Sequence, residues 1–338
     1  MKTLIWRFVL VSLLASFALS GQTRAQTSDA DGPQHAVVTI TAQNIGVDDR
    51  VGVNNDGRII GGRLLFYRAR YHAGDDPAWA DPAFDDQRWE IVDPWLPPDS
   101  RPPQGWPGIG WFRLRLRVDA SLRDHALGFV IKHYGAVEAY LDGRLVYQSG
   151  TVGATRAEED PHRDMNPFVL PLEAGHEHVL ALRYSSFVTE GFRARWYKTG
   201  LGVYWGERAT MTRHREFARF NQGVFSAFYL AFALLFGLLY GLYRSERLFL
   251  YVAMFYGLQV PSVFLFGQIF FMHAPELLMP LVFAVVAFWA SAILAMLMVL
   301  YAFFYPARPR PFYGFLLVGL AATIAVFVRF ENGIYFFV

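Results

Sequence analysis

The 338-residue sequence contains no cysteine. That excludes disulfides, lipid-bearing cysteines and thiolate metal ligands along the whole chain. Charge is missing too, but only locally: residues 224–243, 248–272, 277–304 and 312–328 hold no Asp, Glu, Lys or Arg. Ion and proton pathways through membranes are built on such groups, so a pump or ion-coupled transporter is not expected. The formal net charge of +2 carries no basic excess that would point to nucleic acid.

The four uncharged stretches are apolar and long. A bilayer-spanning helix needs about 20 mostly apolar residues, because the hydrocarbon core is about 30 Å thick and each residue rises about 1.5 Å. Four spanning helices are therefore predicted, within a membrane region at 223–338. Between them, Arg244 and Arg247 follow the first run, His273 to Glu276 the second, and Arg308 and Arg310 the third. Short Arg-rich loops stay in the cytoplasm, which puts the second loop outside together with everything before the first helix. Gln259 and Gln268 are the strongly polar side chains deep in the runs, and Pro261 is expected to kink the second helix. The chain stops at Val338 within an apolar phrase, so it is expected to be a fragment whose remaining helices and effector lie beyond.

The amino terminus reads as a secretory signal peptide over 1–25: Lys2 and Arg7, an apolar stretch from Leu4 to Leu19, then small residues at Thr23 and Ala25. A disordered linker follows at 26–34. From 35 to 205, short β-type runs alternate with turn residues, the pattern of an all-β sandwich. Expected strands include Arg63–Tyr71, Trp111–Val118, Ala136–Leu141, Asn166–Leu172 and His178–Tyr184. Asp142-Gly143 is a hairpin turn, because that pair takes the positive φ values a tight turn demands. In Trp111–Val118 the alternation places Phe112, Leu114, Leu116 and Val118 inward and Arg113, Arg115 and Arg117 outward as a solvated basic stripe. Trp89 and Trp111 are expected as plugs that fix the sheet spacing. Residues 206–222 form a juxtamembrane connector, helical from Thr210 and without a flexible Gly/Ser linker.

Five pieces in order, Ala83–Glu90, Gly110–Leu114, Ala139–Arg144, Pro167–Leu172 and Val179–Arg183, resemble the galactose-binding-like jelly roll, the sugar-binding module of β-galactosidases and β-glucuronidases. The resemblance covers roughly Leu64 to Tyr184. A jelly roll ahead of membrane helices is similar to the seven-transmembrane receptors with diverse intracellular signalling modules, a bacterial sensor family. That resemblance implies a periplasmic ligand-binding domain, a multi-pass location in the inner membrane, and a cytoplasmic kinase, cyclase or phosphatase partner that is missing here, as are three helices.

Sugars stack on aromatic faces and take hydrogen bonds from polar groups around the rim. Trp95 and Trp106 sit on a Pro-rich loop. Arg193, Arg195 and Trp196 sit on an Arg- and aromatic-rich loop. Glu138 lies on a strand, with His133 and Tyr134 just before it. These eight are the candidate ligand contacts, with a small molecule or carbohydrate as ligand. No cofactor, metal site or catalytic residue is expected. His176 and His178 could share a strand face as metal ligands, but lack a third ligand nearby and read more simply as exposed histidines. The sequence leaves a homodimer open. Rival readings are a membrane-tethered carbohydrate-binding module without signalling and a carbohydrate-active enzyme, the latter lacking a paired-carboxylate barrel.

Overall fold

The longest strand, β5 (Ile109–Val118), organises the domain, and its alternation is visible in the computed structural model, which describes residues 37–45, 62–97, 101–103, 105–187, 199–271, 273–274, 277–305 and 310–328. The expected signal peptide (1–25), the expected linker (26–34), and Arg193, Arg195 and Trp196 lie outside the described residues.

β5 pairs antiparallel with β9 (Glu177–Ser185) on one side and with β3 (Ala69–Ala73) on the other; β1 (Val38–Ile40) pairs with it in parallel. Beyond β9 come β7 (Ala136–Leu141) and β8 (Arg144–Ser149), and beyond β3 comes β4 (Glu90–Val92). A second, smaller sheet runs β2 (Arg63–Leu64), β10 (Gly202–Glu207), β6 (Leu127–Lys132), also antiparallel. The two sheets share one core. Phe112, Leu114 and Leu116 of β5, Leu180, Leu182 and Tyr184 of β9, and Val137 and Ala139 of β7 bury against Phe129 and Ile131 of β6 and Val203 and Trp205 of β10. Burial of this apolar area is the main favourable term for the domain.

The hairpin of β7 and β8 turns at Asp142 (φ 50°) and Gly143 (φ 83°), as the Asp-Gly pair requires. Asp142 also accepts the Val179 N–H at 2.8 Å, and its other oxygen lies 2.6 Å from His178 Nδ1. His178 is thereby buried as a structural group, while His176 stays exposed near Glu173.

Four expectations are corrected. Residues 63–71 are not one strand: Leu65 and Phe66 are both buried in the shared core, and two consecutive inward residues break the period of two, so the chain crosses from β2 in one sheet to β3 in the other. Residues 166–172 form a single bridge, Phe168 with Phe129, rather than a strand, with Phe168 stacked on Tyr147 at 3.9 Å. Arg113 is not on a solvated stripe: it is fully buried beneath the 75–89 loop, with Asp86 at 3.0 Å, the carbonyls of Trp79 and Phe84 accepting from it, and the rings of Phe84 and Trp89 within 6 Å. Arg115 remains outside, pairing with the exposed Glu177. Trp89 and Trp111 do not space the sheets. They build a second small core with Ala80, Ala181, Trp79, Phe84 and Tyr140 on the outer face of the large sheet.

After β10 the chain is helical: α1 (Arg208–Leu242), α2 (Arg247–Phe271, running through Pro261), α3 (Leu278–Phe304) and α4 (Arg310–Val328). Of the four predicted spans, α1, α2 and α3 are long and apolar enough to cross a membrane. In α4 the described apolar stretch is shorter, Phe312–Ala321. The architecture is thus mostly antiparallel sheet followed by a helical region with three such helices.

Candidate functional site

Strand register assembles one polar and aromatic row across the outer face of the large sheet. His72 on β3 pairs with Trp111 on β5, Trp111 with Arg183 on β9, Arg183 with Glu138 on β7, and Glu138 with Gln148 on β8. Inward positions on these strands are taken by the core, so period two sends this row outward. Arg183 is the centre. Its Nε and Nη2 donate to Asp75 at 2.7 and 2.5 Å, and its Nη1 donates to Glu138 Oε2 at 3.1 Å. Tyr140 donates its hydroxyl to the same Glu138 oxygen at 2.7 Å. Trp111 Nε1 donates to Asp75 at 3.2 Å, and the Trp111 and Tyr140 rings stack at 5.5 Å.

The Arg183 bonds hold the Asp75 carboxyl below its usual range against a smaller opposing effect of burial. Burial first, then the bond to Glu138, pushes Tyr140 up to about 12. Two carboxylates and one guanidinium leave the cluster with a net negative charge. The side chains of Arg183, Asp75 and Glu138 are only 21, 20 and 12% exposed, so their hydrogen-bonding edges are fixed and partly desolvated. Trp111 itself is buried beneath the row, so this surface offers preorganised donors and acceptors beside the half-buried ring of Tyr140, an arrangement that can hydrogen-bond a hydroxyl-rich ligand.

Of the sequence candidates, Glu138 belongs to this row. Trp95, Trp106, His133 and Tyr134 lie elsewhere, and Arg193, Arg195 and Trp196 are outside the described residues. Trp95 is buried on the outer face of the small sheet with Leu64, Val130, Met165, Tyr204 and Met211, and the Lys132 ammonium stands 5.5 Å from its ring. Trp106 packs at the core margin beside Tyr71 and Tyr184 and donates to the Ser186 carbonyl. His133 is fully buried and Tyr134 half-buried at the β6–β7 turn. Asp75, Tyr140 and Arg183 were not anticipated. The outward phase of Arg183 in the apolar strand Val179–Tyr184 is a readable signal; Asp75 arrives from a loop and has none.

A second constellation joins the β-domain to the helices. β10 ends at Glu207 and α1 begins at Arg208, with no linker between them. One turn on, Met211 is fully buried in the cluster on the outer face of the small sheet, and the Arg208 N–H donates to the Ala126 carbonyl. The second attachment is the loop before Phe168. The Arg163 N–H donates to the His273 carbonyl and its Nη1 to the Ile269 carbonyl, both at 2.9 Å. His273 Nδ1 lies 2.8 Å from the Arg163 carbonyl, so that nitrogen carries the proton. The His162 and His273 rings lie parallel at 5.0 Å. Within the helices, Gln222 of α1 donates to the Phe264 carbonyl of α2 at 2.6 Å and lies against Gly267, where a Cβ would strike it. The β-domain, the start of α1 and the end of α2 therefore meet at one end of the helices.

His133 stands at this joint with neither ring nitrogen in a well-formed hydrogen bond among the described residues. Burial, then the positive Arg163, push it down to about 3, against a weak opposing influence of the Gly135 backbone. It is neutral in the folded chain near pH 7.

No family model and no curated protein matches the chain. Among solved structures, it is similar to a β-glucuronidase from glycoside hydrolase family 2 at 14% identity, over 42% of this chain and 17% of that one, with a TM-score of 0.27. It is similar to a β-glucosidase from Kluyveromyces marxianus at 12% identity, over 55% of this chain and 21% of that one, with a TM-score of 0.28. The chain thus spans about a fifth of the proteins it matches, and likenesses of this size carry no argument about activity.

Proposed function

We propose that the chain is the outer and membrane portion of a bacterial signal-transduction receptor. In this reading the β-domain is a periplasmic jelly roll that takes a carbohydrate or similar hydroxyl-rich ligand on the row of Glu138, Arg183, Asp75 and Tyr140. Binding shifts the joint, and the helices carry the shift to a cytoplasmic kinase, cyclase or phosphatase module. The observation that carries the reading is the double attachment: a strand that continues directly into α1, and a loop that grips the end of α2 through Arg163. A tether needs one flexible attachment, whereas two rigid ones let a change in the domain move α1 against α2.

The test uses the full chain in nanodiscs with a panel of neutral and acidic monosaccharides, reading thermal stability together with the distance between spin labels in the 162–164 loop and the end of α2. The expected result is one sugar class that stabilises the chain and shifts that distance, with Arg183→Gln weakening binding at least about tenfold, the size expected for a lost charge-assisted hydrogen bond. Binding with no change at the joint would leave a tethered binding module, and no binding by any sugar would refute the ligand assignment.

A further inference from the structure

At the joint two arginines each bury a nitrogen that finds no hydrogen-bond partner among the described residues. Arg163 is 3% exposed, and its Nε has no hydrogen-bond partner among the described residues. Arg215, on the third turn of α1, likewise has a buried Nε with no partner among the described residues. Arg219, one turn further along the same face, stands 4.9 Å above the Phe271 ring. Arg163 and Arg219 thus converge on the last turn of α2, and Arg215 and Arg219 repel each other. Asp164 is the acid that attracts Arg215, and its Oδ1 is already engaged by both nitrogens of Asn166. A buried N–H without an acceptor is costly, and native structures fill such positions.

The location says what kind of acceptor is at hand. α1 has 35 residues and is therefore about 52 Å long, while the hydrocarbon core is about 30 Å thick. Its uncharged stretch begins at Val224, so Arg215 and Arg219 lie in the last turns before the hydrocarbon, at headgroup depth. Phe217 and Phe220 beside them are 61 and 67% exposed, as residues at a lipid interface are.

We propose that Arg163, Arg215 and Arg219 form a site for a phosphate-class anion, supplied by the headgroup of an anionic lipid, which completes the joint between α1, α2 and the β-domain. The proposal rests on α1 to α3 spanning a bilayer.

The full chain is placed in nanodiscs of phosphatidylcholine alone, of phosphatidylcholine with phosphatidylglycerol, and of phosphatidylcholine with inorganic phosphate added to the buffer. Thermal stability and retained lipid by native mass spectrometry are read for each. Phosphatidylglycerol is expected to raise the melting temperature and to be retained preferentially, and Arg215→Gln and Arg219→Gln each to reduce that preference by about tenfold. Arg219 is exposed, so its variant keeps the test valid even where Arg215→Gln perturbs folding. Arg213→Gln, an exposed arginine on the same helix, is expected to leave the preference intact. Stabilisation by inorganic phosphate that matches phosphatidylglycerol supports the anion site and assigns its source to solution. No response to either anion, or a lipid preference that survives both arginine variants, overturns the proposal. Failure to enter the discs overturns the membrane reading as well, whereas entry without lipid preference overturns this proposal alone.

Discussion

Replacing Arg113 with methionine separates a structural guanidinium from a solvated one on the same strand. Arg113 is fully buried and pairs at 3.0 Å with Asp86, whose side chain is 9% exposed. Removing one member of a buried pair costs about 3–5 kcal/mol, because the other charge stays buried. Arg70 at 3.6 Å remains as a second cation for Asp86, which pulls the cost toward the lower end. The carbonyls of Trp79 and Phe84 also lose their donor. We expect Arg113→Met to cost about 3 kcal/mol, or about 6–12 °C in melting temperature for a domain of this size. Arg115, two residues on, pairs with Glu177 while both side chains are more than 40% exposed. Arg115→Met should cost below about 1 kcal/mol. The assay is thermal unfolding of the full chain in detergent, followed by tryptophan fluorescence, since Trp79, Trp89 and Trp111 lie around Arg113. A second variant, Arg113→Met with Asp86→Leu, removes both charges and should recover part of the loss. Equal melting temperatures for Arg113→Met and Arg115→Met would refute the reasoning.

Two further outcomes follow from packing and protonation. A Cβ at Gly202 would lie 2.1 Å from the Trp95 indole, so Gly202→Ala should lower stability by about 1–3 kcal/mol, and Trp95→Leu in the same chain should relieve part of it; no relief would mean that Trp95 is not the obstructing group. His133 is depressed to about 3 in the folded chain, so below pH 6.5 the unfolded chain binds the extra proton and stability falls as pH falls toward 3. At pH 5 the loss is about 2 kcal/mol relative to pH 7. His133→Phe should flatten that part of the profile, and an unchanged acid slope would contradict the assignment.

The helices were legible because uncharged runs of membrane length admit few other folds, and α1 to α3 end within a few residues of the charge boundaries. The Asp142-Gly143 turn was legible because its backbone demands are local. The inner face of β5 was legible for the same reason, since alternation is a property of the strand itself. Its outer face was not. Whether Arg113 meets water depends on the 75–89 loop folding over it, which no pattern in Trp111–Val118 announces. The row around Arg183 likewise depends on register between strands far apart in sequence, and of the five candidate contacts among the described residues only Glu138 belongs to it. The grip of Arg163 on His273 joins residues 110 positions apart, through backbone carbonyls that carry no residue signature.

The proposed topology puts the β-domain outside the cytoplasm and the α1–α2 turn inside it. Because the chain lacks cysteine, one engineered thiol reports one position. Arg123→Cys lies on the exposed β5–β6 connection and Ser245→Cys on the exposed α1–α2 turn. A membrane-impermeant maleimide applied to spheroplasts should label Arg123→Cys, and label Ser245→Cys only after the membrane is opened. Labelling of Ser245→Cys in sealed spheroplasts, or protection of Arg123→Cys, would contradict it.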